Sequence, residues 1–216
     1  MTLADHSLCP LCQSGEVSWF HRDSRRDYWR CEVCRLIHVP DRFHLSASDE
    51  KAHYDNHQNN PADAGYRRFL GRLFAPLSRH LAPRSRGLDF GCGPGPALAL
   101  MFAEQGDRVE LYDAYYAPDT SVLAGSYDFV TATEVVEHLR HPGAVLMQLW
   151  DLLRCGGVLG VMTSQLADGR DFSSWHYKND PTHIAFFSRW TFLWLGKRWG
   201  VDPVFEGDDV VLFRKP

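Results

Sequence analysis

A glycine-rich loop placed directly after an apolar segment is the feature that most constrains the fold of this 216-residue chain. Residues 88–90 read Leu-Asp-Phe, and Gly91, Gly93 and Gly95 follow before a helix-forming run begins. This pattern predicts a buried strand that ends in a tight turn at the edge of a parallel sheet, with a helix behind the turn. Because glycine has no Cβ, the backbone N–H groups of such a turn can approach a ligand closely. The loop therefore predicts an α/β domain that grips a nucleotide-type cofactor.

The chain after the loop continues as alternating strands and helices. Apolar segments that predict strands occupy residues 87–90, 108–112, 127–133 and 158–162. Segments with helical spacing of apolar residues occupy residues 97–105, 142–153 and 189–199. Ser188 and Gly200 are the predicted caps of the last helix. The segments 201–205 and 210–213 flank a Glu-Gly-Asp-Asp turn, so the predicted fold class is α/β, a Rossmann-like sheet that ends in an antiparallel hairpin.

The region before the loop divides into two predicted parts, residues 1–40 and 41–84, ahead of a main domain at 85–216. Residues 41–60 are polar, and the presence of His53, Tyr54 and His57 leaves two interpretations open, a lid over the cofactor or a solvated linker. Asn60 followed by Pro61 predicts the start of an amphipathic helix that ends or kinks at Pro76.

Four of the six cysteines form two Cys-x-x-Cys pairs near the N-terminus. They are Cys9, Cys12, Cys31 and Cys34, and the intervening segment has the pattern of a hairpin. This spacing predicts a structural Zn²⁺ ribbon, because four thiolates close the tetrahedral coordination of the ion and leave no position for catalysis. The alternative is four reduced cysteines without metal.

The predicted ribbon carries six arginines whose charge is largely offset by nearby acidic residues. They are Arg22, Arg25, Arg26, Arg30, Arg35 and Arg42. The ribbon is interpreted as a scaffold or substrate-docking surface in preference to a nucleic-acid module. The formal net charge of −4 also weakly opposes a nucleic-acid partner, since nucleic-acid binders are usually basic.

The composition is that of an ordinary soluble protein, with 44% hydrophobic and 23% charged residues. No apolar run approaches the roughly 20 residues that a bilayer-spanning helix needs. The first six residues lack the basic and apolar regions of a secretory signal, so no membrane association and a cytoplasmic location are expected.

The spacing of the glycines narrows the choice of cofactor. A dinucleotide loop has the pattern G-x-G-x-x-G, but Pro96 occupies the position of its last glycine, and no Gly-Lys-Ser/Thr of a P-loop follows. Residues 88–95 instead resemble motif I of class I S-adenosyl-L-methionine (SAM)-dependent methyltransferases. The segments 127–139 and 152–159 resemble the fourth strand and the turn before the fifth strand of that family, and the resemblance covers residues 85–216. It implies that SAM is held by Asp89, Gly91, Cys92, Gly93, Gly95, Thr133 and Glu134, with Asp113 on the ribose hydroxyls.

The chain departs from the family where the adenine is normally held. Only residues 114–127 separate Asp113 from Asp128, a length that leaves little room for the helix, third strand and loop that the family places there. Either the third strand is vestigial or a shortened segment does its work. Tyr115 and Tyr116 are interpreted either as neighbours of the adenine or as ordinary surface residues.

Glu134, Glu137 and His138 lie at i, i+3 and i+4 and so share one face of a helical turn. This pattern resembles ubiquinone-biosynthesis O-methyltransferases and small-RNA 2′-O-methyltransferases, in which it carries a Mg²⁺-type site. The resemblance adds His183 as a fourth candidate ligand. The alternative is that these residues cap a helix or shape the site without metal.

Residues 164–181 form a long predicted loop at the active-site end of the sheet and are expected to supply the substrate wall. His138, His176 and His183 are the candidate catalytic residues, the last two as a general base. The predicted function is SAM-dependent methyl transfer to a small molecule. Two alternatives remain, an RNA methyltransferase that docks through the ribbon and a non-catalytic SAM-binding or zinc-dependent interaction protein.

Overall fold

Two β-sheets organise residues 8–56 and 59–216, which are the residues that the computed structural model describes. The N-terminal residues 1–7 and the lid candidate His57 lie outside them. The elements are, in chain order, β1 (Val17–Arg22), β2 (Asp27–Cys31), β3 (Ile37–His38), α1 (Ala47–Tyr54), α2 (Ala64–Ser78), β4 (Arg86–Phe90), α3 (Ala97–Glu104), β5 (Arg108–Tyr112), β6 (Tyr127–Thr133), α4 (Pro142–Asp151), β7 (Leu153–Met162), β8 (Ala185–Phe186), α5 (Arg189–Trp199), β9 (Val204–Glu206) and β10 (Val210–Arg214).

The larger sheet has six strands in the order β5-β4-β6-β7-β10-β9. The pairs β4–β5, β4–β6 and β6–β7 are parallel, whereas β10 runs antiparallel to both β7 and β9. This arrangement confirms the predicted α/β sheet with a closing antiparallel hairpin.

The sheet ends at β5, where the family resemblance places a further strand. In the described chain, residues 114–126 contain a bridge between Asp113 and Ala117 and a 3-10 turn at Thr120–Ala124, but no strand that extends the sheet. The short segment therefore omits the third strand, because the chain turns directly from the end of β5 into β6.

Helices cover both faces of this sheet, and consecutive strand residues point to opposite faces. Helices α2 and α3 bury Leu73 and Phe102 against Phe129. Helices α4 and α5 pack in a second cluster with the next strand residue, Val130. Such alternation is expected of a sheet buried on both sides.

The caps of the helices follow the prediction at α5 and depart from it at α2. The Ser188 hydroxyl accepts the N–H of Thr191 at the start of α5, and Gly200 ends this helix with a φ of 73°. Helix α2, however, begins at Ala64 with Asp63 as its N-cap, so the prediction of Asn60 as the cap is wrong. Asn60 Oδ1 accepts the N–H of Ala62 and forms only a turn. Pro76 lies in the last turn, and the helix continues to Ser78.

The smaller sheet joins the ribbon to the C-terminal half of the chain. Its order is β1-β2-β3-β8, and β8 pairs antiparallel with β3 through Ile37 with Phe186 and His38 with Ala185. The sheet thus extends across the boundaries that were predicted at residues 40 and 85. Among the described helices, none combines the length and apolar character that a membrane crossing requires.

Candidate functional site

A cavity of about 600 Å³ opens at the carboxyl ends of the parallel strands β4, β5 and β6. Parallel strands bring the loops that follow them to one edge of the sheet, which is where ligands bind in open α/β folds. The cavity is lined by most of the residues that the sequence proposed for a site: Gly91, Cys92, Gly93, Asp113, Thr133, Glu134, His138 and His183.

At two positions of the loop, a side chain would collide with a neighbouring segment, so glycine is required there. Gly91 has a φ of +75°, and a Cβ there would lie 2.3 Å from Val135 Cγ2. A Cβ at Gly95 would lie 1.7 Å from the carbonyl oxygen of Asn59. Gly95 does not line the cavity. It accommodates the segment before α2, so its expected direct contact with a cofactor is not supported by its position.

Asp113 organises the turn at the end of β5. Its Oδ2 accepts the N–H of Gly93 at 3.0 Å, and its Oδ1 accepts the N–H groups of Tyr115 at 2.8 Å and Tyr116 at 3.1 Å. The carboxylate therefore ties the glycine loop to the segment that replaces the third strand, while it lines the cavity.

Asp89 lies beneath the loop and not in the cavity wall, which corrects its assignment as a direct cofactor contact. Its side chain is 4% exposed and accepts the hydroxyl of Thr131 at 2.8 Å. Burial is the largest cause that raises the pKa of Asp89, to about 6, and the nearby Asp113 carboxylate adds to the rise.

This raised pKa predicts a pH-dependent stability contribution. A carboxyl group with a pKa of about 6 in the folded state and 3.8 in the unfolded state holds more protons when folded. Its contribution is therefore fully present below pH 3.8 and is lost as the pH rises through 6. We expect Asp89→Asn to be more stable than the parent at pH 7 by up to about 3 kcal/mol, with the difference shrinking towards pH 4. Urea unfolding of both proteins between pH 4 and 8 measures this, and a difference independent of pH would contradict it.

Helix α1 covers the cavity. Its Glu50 and Tyr54 line the cavity wall, and Glu50 Oε2 accepts the Tyr115 hydroxyl at 2.9 Å. The Tyr116 hydroxyl donates to Asp55 Oδ1 at 2.7 Å just after the helix. None of the residues of α1 is fully buried, so polar contacts to these tyrosines are a main attachment of the helix. Of the two interpretations of the polar connector, this position favours the lid.

Glu137, His138 and His183 meet beside the cavity, which the two histidines line. One ligand atom of each lies within 4.8 Å of the others. His183 Nδ1 is 2.8 Å from the carbonyl oxygen of Tyr177, and His138 Nδ1 is 3.2 Å from that of Thr182. Because a carbonyl only accepts, each Nδ1 carries the hydrogen, and in the neutral ring the lone pair is on Nε2. Burial lowers the pKa of His183, which favours its neutral form.

Glu137 is fully buried between these rings and Tyr177. The Tyr177 hydroxyl donates to Glu137 Oε1, whereas Oε2 has no hydrogen-bond partner among the described residues. Burial raises the pKa of this carboxyl group, and the nearby His183 opposes the rise. A buried carboxylate oxygen without a partner is unusual and is consistent with a ligand that binds at this point.

Glu134 lies at the cavity but outside this group of three. Its backbone has a φ of 52°, in the left-handed region, and its Oε2 is 3.3 Å from the Tyr177 hydroxyl. Burial, with Glu137 as the second cause, raises the pKa of Glu134 to about 8. Three of the four predicted metal ligands therefore meet within 4.8 Å, and Glu134 lies beside them, joined to Glu137 through the Tyr177 hydroxyl.

The loop between β7 and β8 (residues 163–184, the β7–β8 loop) differs most from the prediction. His176 is exposed and does not line the cavity, so it is not placed to act as a base. From the expected substrate wall at 164–181, only Asp180 lines the cavity, because Phe172 and Trp175 pack against the ribbon. The role of Tyr177 as a hydrogen-bond partner of two carboxylates had no local signal in the sequence.

The four ribbon cysteines converge as their spacing predicts. Cys9 Sγ lies 3.5 Å from Cys34 Sγ, and Cys12 Sγ lies 3.4 Å from Cys31 Sγ. All four sulfur atoms lie within 4.8 Å of one another. Sulfur atoms around a tetrahedral Zn²⁺ with 2.3 Å bonds are about 3.8 Å apart, so the donor set and its spacing fit a zinc ion.

The chain was compared with known protein families and with solved structures. The sequence model of a methyltransferase domain matches residues 62–204. Among solved structures, 1,6-didemethyltoxoflavin-N1-methyltransferase of Burkholderia thailandensis, with bound 1,6-didemethyltoxoflavin and S-adenosylhomocysteine, has a TM-score of 0.53 at 18% identity over 92% of this chain and 99% of its own. An O-methyltransferase family protein of Burkholderia thailandensis has a TM-score of 0.51 at 16% identity over 81% of this chain and 61% of its own.

CalO1, a methyltransferase in calicheamicin biosynthesis solved with S-adenosylhomocysteine, has a TM-score of 0.50 at 15% identity over 79% of this chain and 61% of its own. At these identities the likeness shows the fold. None of the curated proteins matches the chain significantly in sequence. The matched domain covers most of the chain, and the sheet, the glycine loop and the cavity lie together within the corresponding fold. The chain therefore belongs to the class I SAM-dependent methyltransferases and is an enzyme of the methyltransferase type.

Proposed function

We propose that this enzyme transfers the methyl group of SAM to a small-molecule acceptor inside the cavity. The observation that carries the proposal is that one cavity is lined by both the predicted donor residues, such as Gly93 and Asp113, and the imidazoles His138 and His183. Methyl transfer to a hydroxyl or amine group requires a bound methyl donor and a proton acceptor close to it, and this cavity has candidate residues for both.

At the donor end, we assign the ribose to Asp113 and the adenine to the walls made by Tyr115 and Tyr116. An ionised carboxylate offers about four acceptor positions, and three backbone N–H groups use the carboxylate of Asp113, so it retains capacity for a ribose hydroxyl. Helix α1 holds both tyrosines through their hydroxyl groups. This wall takes the place of the strand and helix that other members have beyond β5.

At the acceptor end, we assign His183 as the proton acceptor. The nucleophilic atom of the acceptor forms a bond to the methyl carbon while the bond from that carbon to the sulfonium breaks. The electron pair stays on sulfur and gives S-adenosylhomocysteine. The proton of the acceptor passes to Nε2 of His183, whose lone pair is set by the hydrogen bond from Nδ1 to the Tyr177 carbonyl.

The group formed by Glu137, His138 and His183 also fits a divalent metal ion. Two Nε2 lone pairs and a carboxylate with an unpartnered oxygen are suitable ligands, and the backbone carbonyls on both Nδ1 atoms are the usual supports of metal-bound imidazoles. This donor set suits Zn²⁺, Fe²⁺ or Mn²⁺ better than the Mg²⁺ expected from the resemblance, since Mg²⁺ prefers oxygen ligands. A bound ion would occupy the Nε2 lone pair of His183, so it is an alternative to the role of His183 as proton acceptor. It would instead polarise an acceptor oxygen and lower the pKa of that group.

We further propose that the ribbon cysteines bind one structural Zn²⁺. A ribbon this small has too little core of its own, so such a link would add to its packing on β8 and the β7–β8 loop. We expect Cys31→Ser to lose the bound zinc and the hydrogen-exchange protection of residues 9–38, because ion binding supplies on the order of 10 kcal/mol to such a fold. Metal analysis and hydrogen exchange measure both effects. Cys155→Ser, which removes an exposed cysteine outside the ribbon, is the matched control and should keep the zinc.

The contacts of the ribbon arginines favour a small acceptor over RNA. Each of them donates inside the chain: Arg22 and Arg42 to Asp27, Arg30 and Arg35 to Glu32, and Arg25 and Arg26 to the β7–β8 loop. Side chains engaged in this way are not arranged as a phosphate-binding surface. The structurally similar 1,6-didemethyltoxoflavin-N1-methyltransferase, solved with bound 1,6-didemethyltoxoflavin, is compatible with this interpretation.

The test is a methyl-transfer screen with isotopically labelled SAM against fractionated small metabolites and against RNA. We expect turnover with a small-molecule fraction and calorimetric binding of SAM and S-adenosylhomocysteine. Labelled RNA, with binding that weakens steeply as salt rises, would replace the small-molecule proposal by the RNA alternative. Failure to bind either donor form would reject the assignment of the cavity.

A further inference from the structure

Arg26 is a buried arginine of the ribbon that reaches the opposite half of the chain. Its side chain is 6% exposed, and its Nη2 donates to the carbonyl oxygens of Lys178 at 2.7 Å and Asp180 at 2.9 Å. Its Nη1 donates to the carbonyl oxygen of Pro181 at 3.1 Å, and its Nε donates to the Tyr28 hydroxyl at 3.0 Å. One guanidinium therefore binds three backbone carbonyls within four consecutive residues of the β7–β8 loop.

Two other polar contacts hold the same turn. Lys178 donates to Asp23 at 3.1 Å, and both side chains are largely buried. Arg25 donates to the carbonyl oxygen of Asn179 at 2.8 Å and to its side-chain oxygen at 2.9 Å. These bonds all join the hairpin β1–β2 to residues 178–181, so the ribbon holds this part of the loop at several points.

Apolar packing covers the rest of this contact. Tyr28, fully buried, packs its ring edge-to-face on Phe172 at 4.9 Å between centroids, and Phe172 and Trp175 share a cluster with Ile37 and Phe186. The loop thus buries Phe172 and Trp175 on the ribbon, away from the cavity.

The turn held by Arg26 is the one that presents the acceptor-side residues. Asp180 lines the cavity and accepts the N–H and the hydroxyl of Thr182 through its side chain. The carbonyl of Tyr177, directly before Lys178, sets the tautomer of His183. The residues that Arg26 holds therefore lie only two to five positions before His183, whose imidazole lines the cavity, so a change in the ribbon contact can shift this ring.

We infer that Arg26 is a positioning residue of the methyltransferase site and that the ribbon serves to hold the 177–183 turn. The guanidinium supplies several N–H donors in one plane, which matches three carbonyls of a tight turn better than a lysine ammonium does. The inference rests on the proposed role of His183 in the cavity. By this inference, the binding partner of the ribbon is the 177–183 turn of the same chain.

The test compares Arg26→Ala with Arg35→Ala, a ribbon arginine that pairs with Glu32 and does not touch the loop. In Arg26→Ala we expect amide exchange of residues 178–184 to quicken at least about tenfold, since three buried carbonyls lose their donor. The imidazole ¹⁵N spectrum should show His183 as the Nδ1–H tautomer in the parent and as a tautomer mixture in the variant. Millimolar guanidinium should restore both signals in part by occupying the vacated space. Arg35→Ala should match the parent.

Binding of S-adenosylhomocysteine separates this inference from the proposed function. We expect its dissociation constant to change less than about twofold in Arg26→Ala, because the interdomain hydrogen bonds of Arg26 go to residues 178–181 and not to the glycine loop or Asp113. Parent-like exchange and an unchanged His183 spectrum in a folded Arg26→Ala protein would overturn the inference. Should that variant not fold, Arg26→Lys keeps the charge without the planar set of donors and must still quicken exchange at residues 178–184. Its failure to do so would also overturn the inference. Absence of binding in the parent would reject the proposed function and not the ribbon contact.

Discussion

Replacing Asp113 by alanine is expected to weaken the binding of S-adenosylhomocysteine about 100-fold. A hydrogen bond to a charged acceptor contributes about 1.5–3 kcal/mol, so the loss of the ribose contacts is of this size. The variant also removes the acceptor of three N–H groups that shape the glycine loop. Isothermal titration calorimetry measures the effect directly.

Two further variants separate ligand contact from loop shape. Asp113→Asn retains the side-chain size and one acceptor oxygen, so it should weaken binding by about tenfold through the loss of the charge and of the second acceptor. Asp119→Ala removes an exposed aspartate that only caps the neighbouring 3-10 turn and should bind like the parent. Parent-like affinity in Asp113→Ala would place the donor ribose elsewhere in the cavity.

Replacing His183 by alanine is expected to lower methyl transfer by about 100- to 10,000-fold, the usual range for the loss of a general base. The ring contributes the Nε2 lone pair at the acceptor end, and no other described histidine in the cavity has the same contact to the Tyr177 carbonyl. The rate is measured with the acceptor found in the turnover screen, and donor affinity should stay within about twofold of the parent.

His176 provides the matched control for this prediction. It is a histidine of the same loop, seven positions earlier, but it is exposed and outside the cavity, so His176→Ala should turn over like the parent. Equal turnover in His183→Ala and His176→Ala would remove His183 from the chemistry. If a metal ion is held at this end, Glu137→Gln should reduce its affinity while Zn²⁺ in the ribbon is retained, because Gln keeps the shape but not the charge.

The donor end of the site was predictable because its signals are local. Gly91 and Gly93 lie in one short loop, and Asp113 ends the next strand, so parallel pairing of β4 and β5 is enough to bring them together. The caps of α5 were likewise encoded by residues at the helix ends, Ser188 and Gly200. At α2 the same type of signal misled, because Asn60 and Asp63 both fit an N-cap and the helix begins after Asp63.

The acceptor end was predictable only in part because it depends on contacts between distant segments. Sequence pattern does not show which of His176 and His183 faces the cavity, since both are histidines of one predicted loop region. The packing of Trp175 on the ribbon decides which of them turns inward. The positive φ of Glu134 had no sequence pattern either, and neither had the Tyr177 hydroxyl that joins its carboxylate to Glu137.

The contact between the ribbon and the β7–β8 loop also determines an order of events during synthesis. The four cysteines are close in sequence and can be joined early, but Arg26 and its acceptor Lys178 are 152 positions apart. At translation rates of roughly 5–20 residues per second, the loop emerges about 8 to 30 seconds after the hairpin. During that interval the apolar residues Tyr28 and Ile37 lack the loop residues that pack on them in the folded protein. Packing of the loop then buries these residues and, in the same step, completes the proposed acceptor end of the cavity.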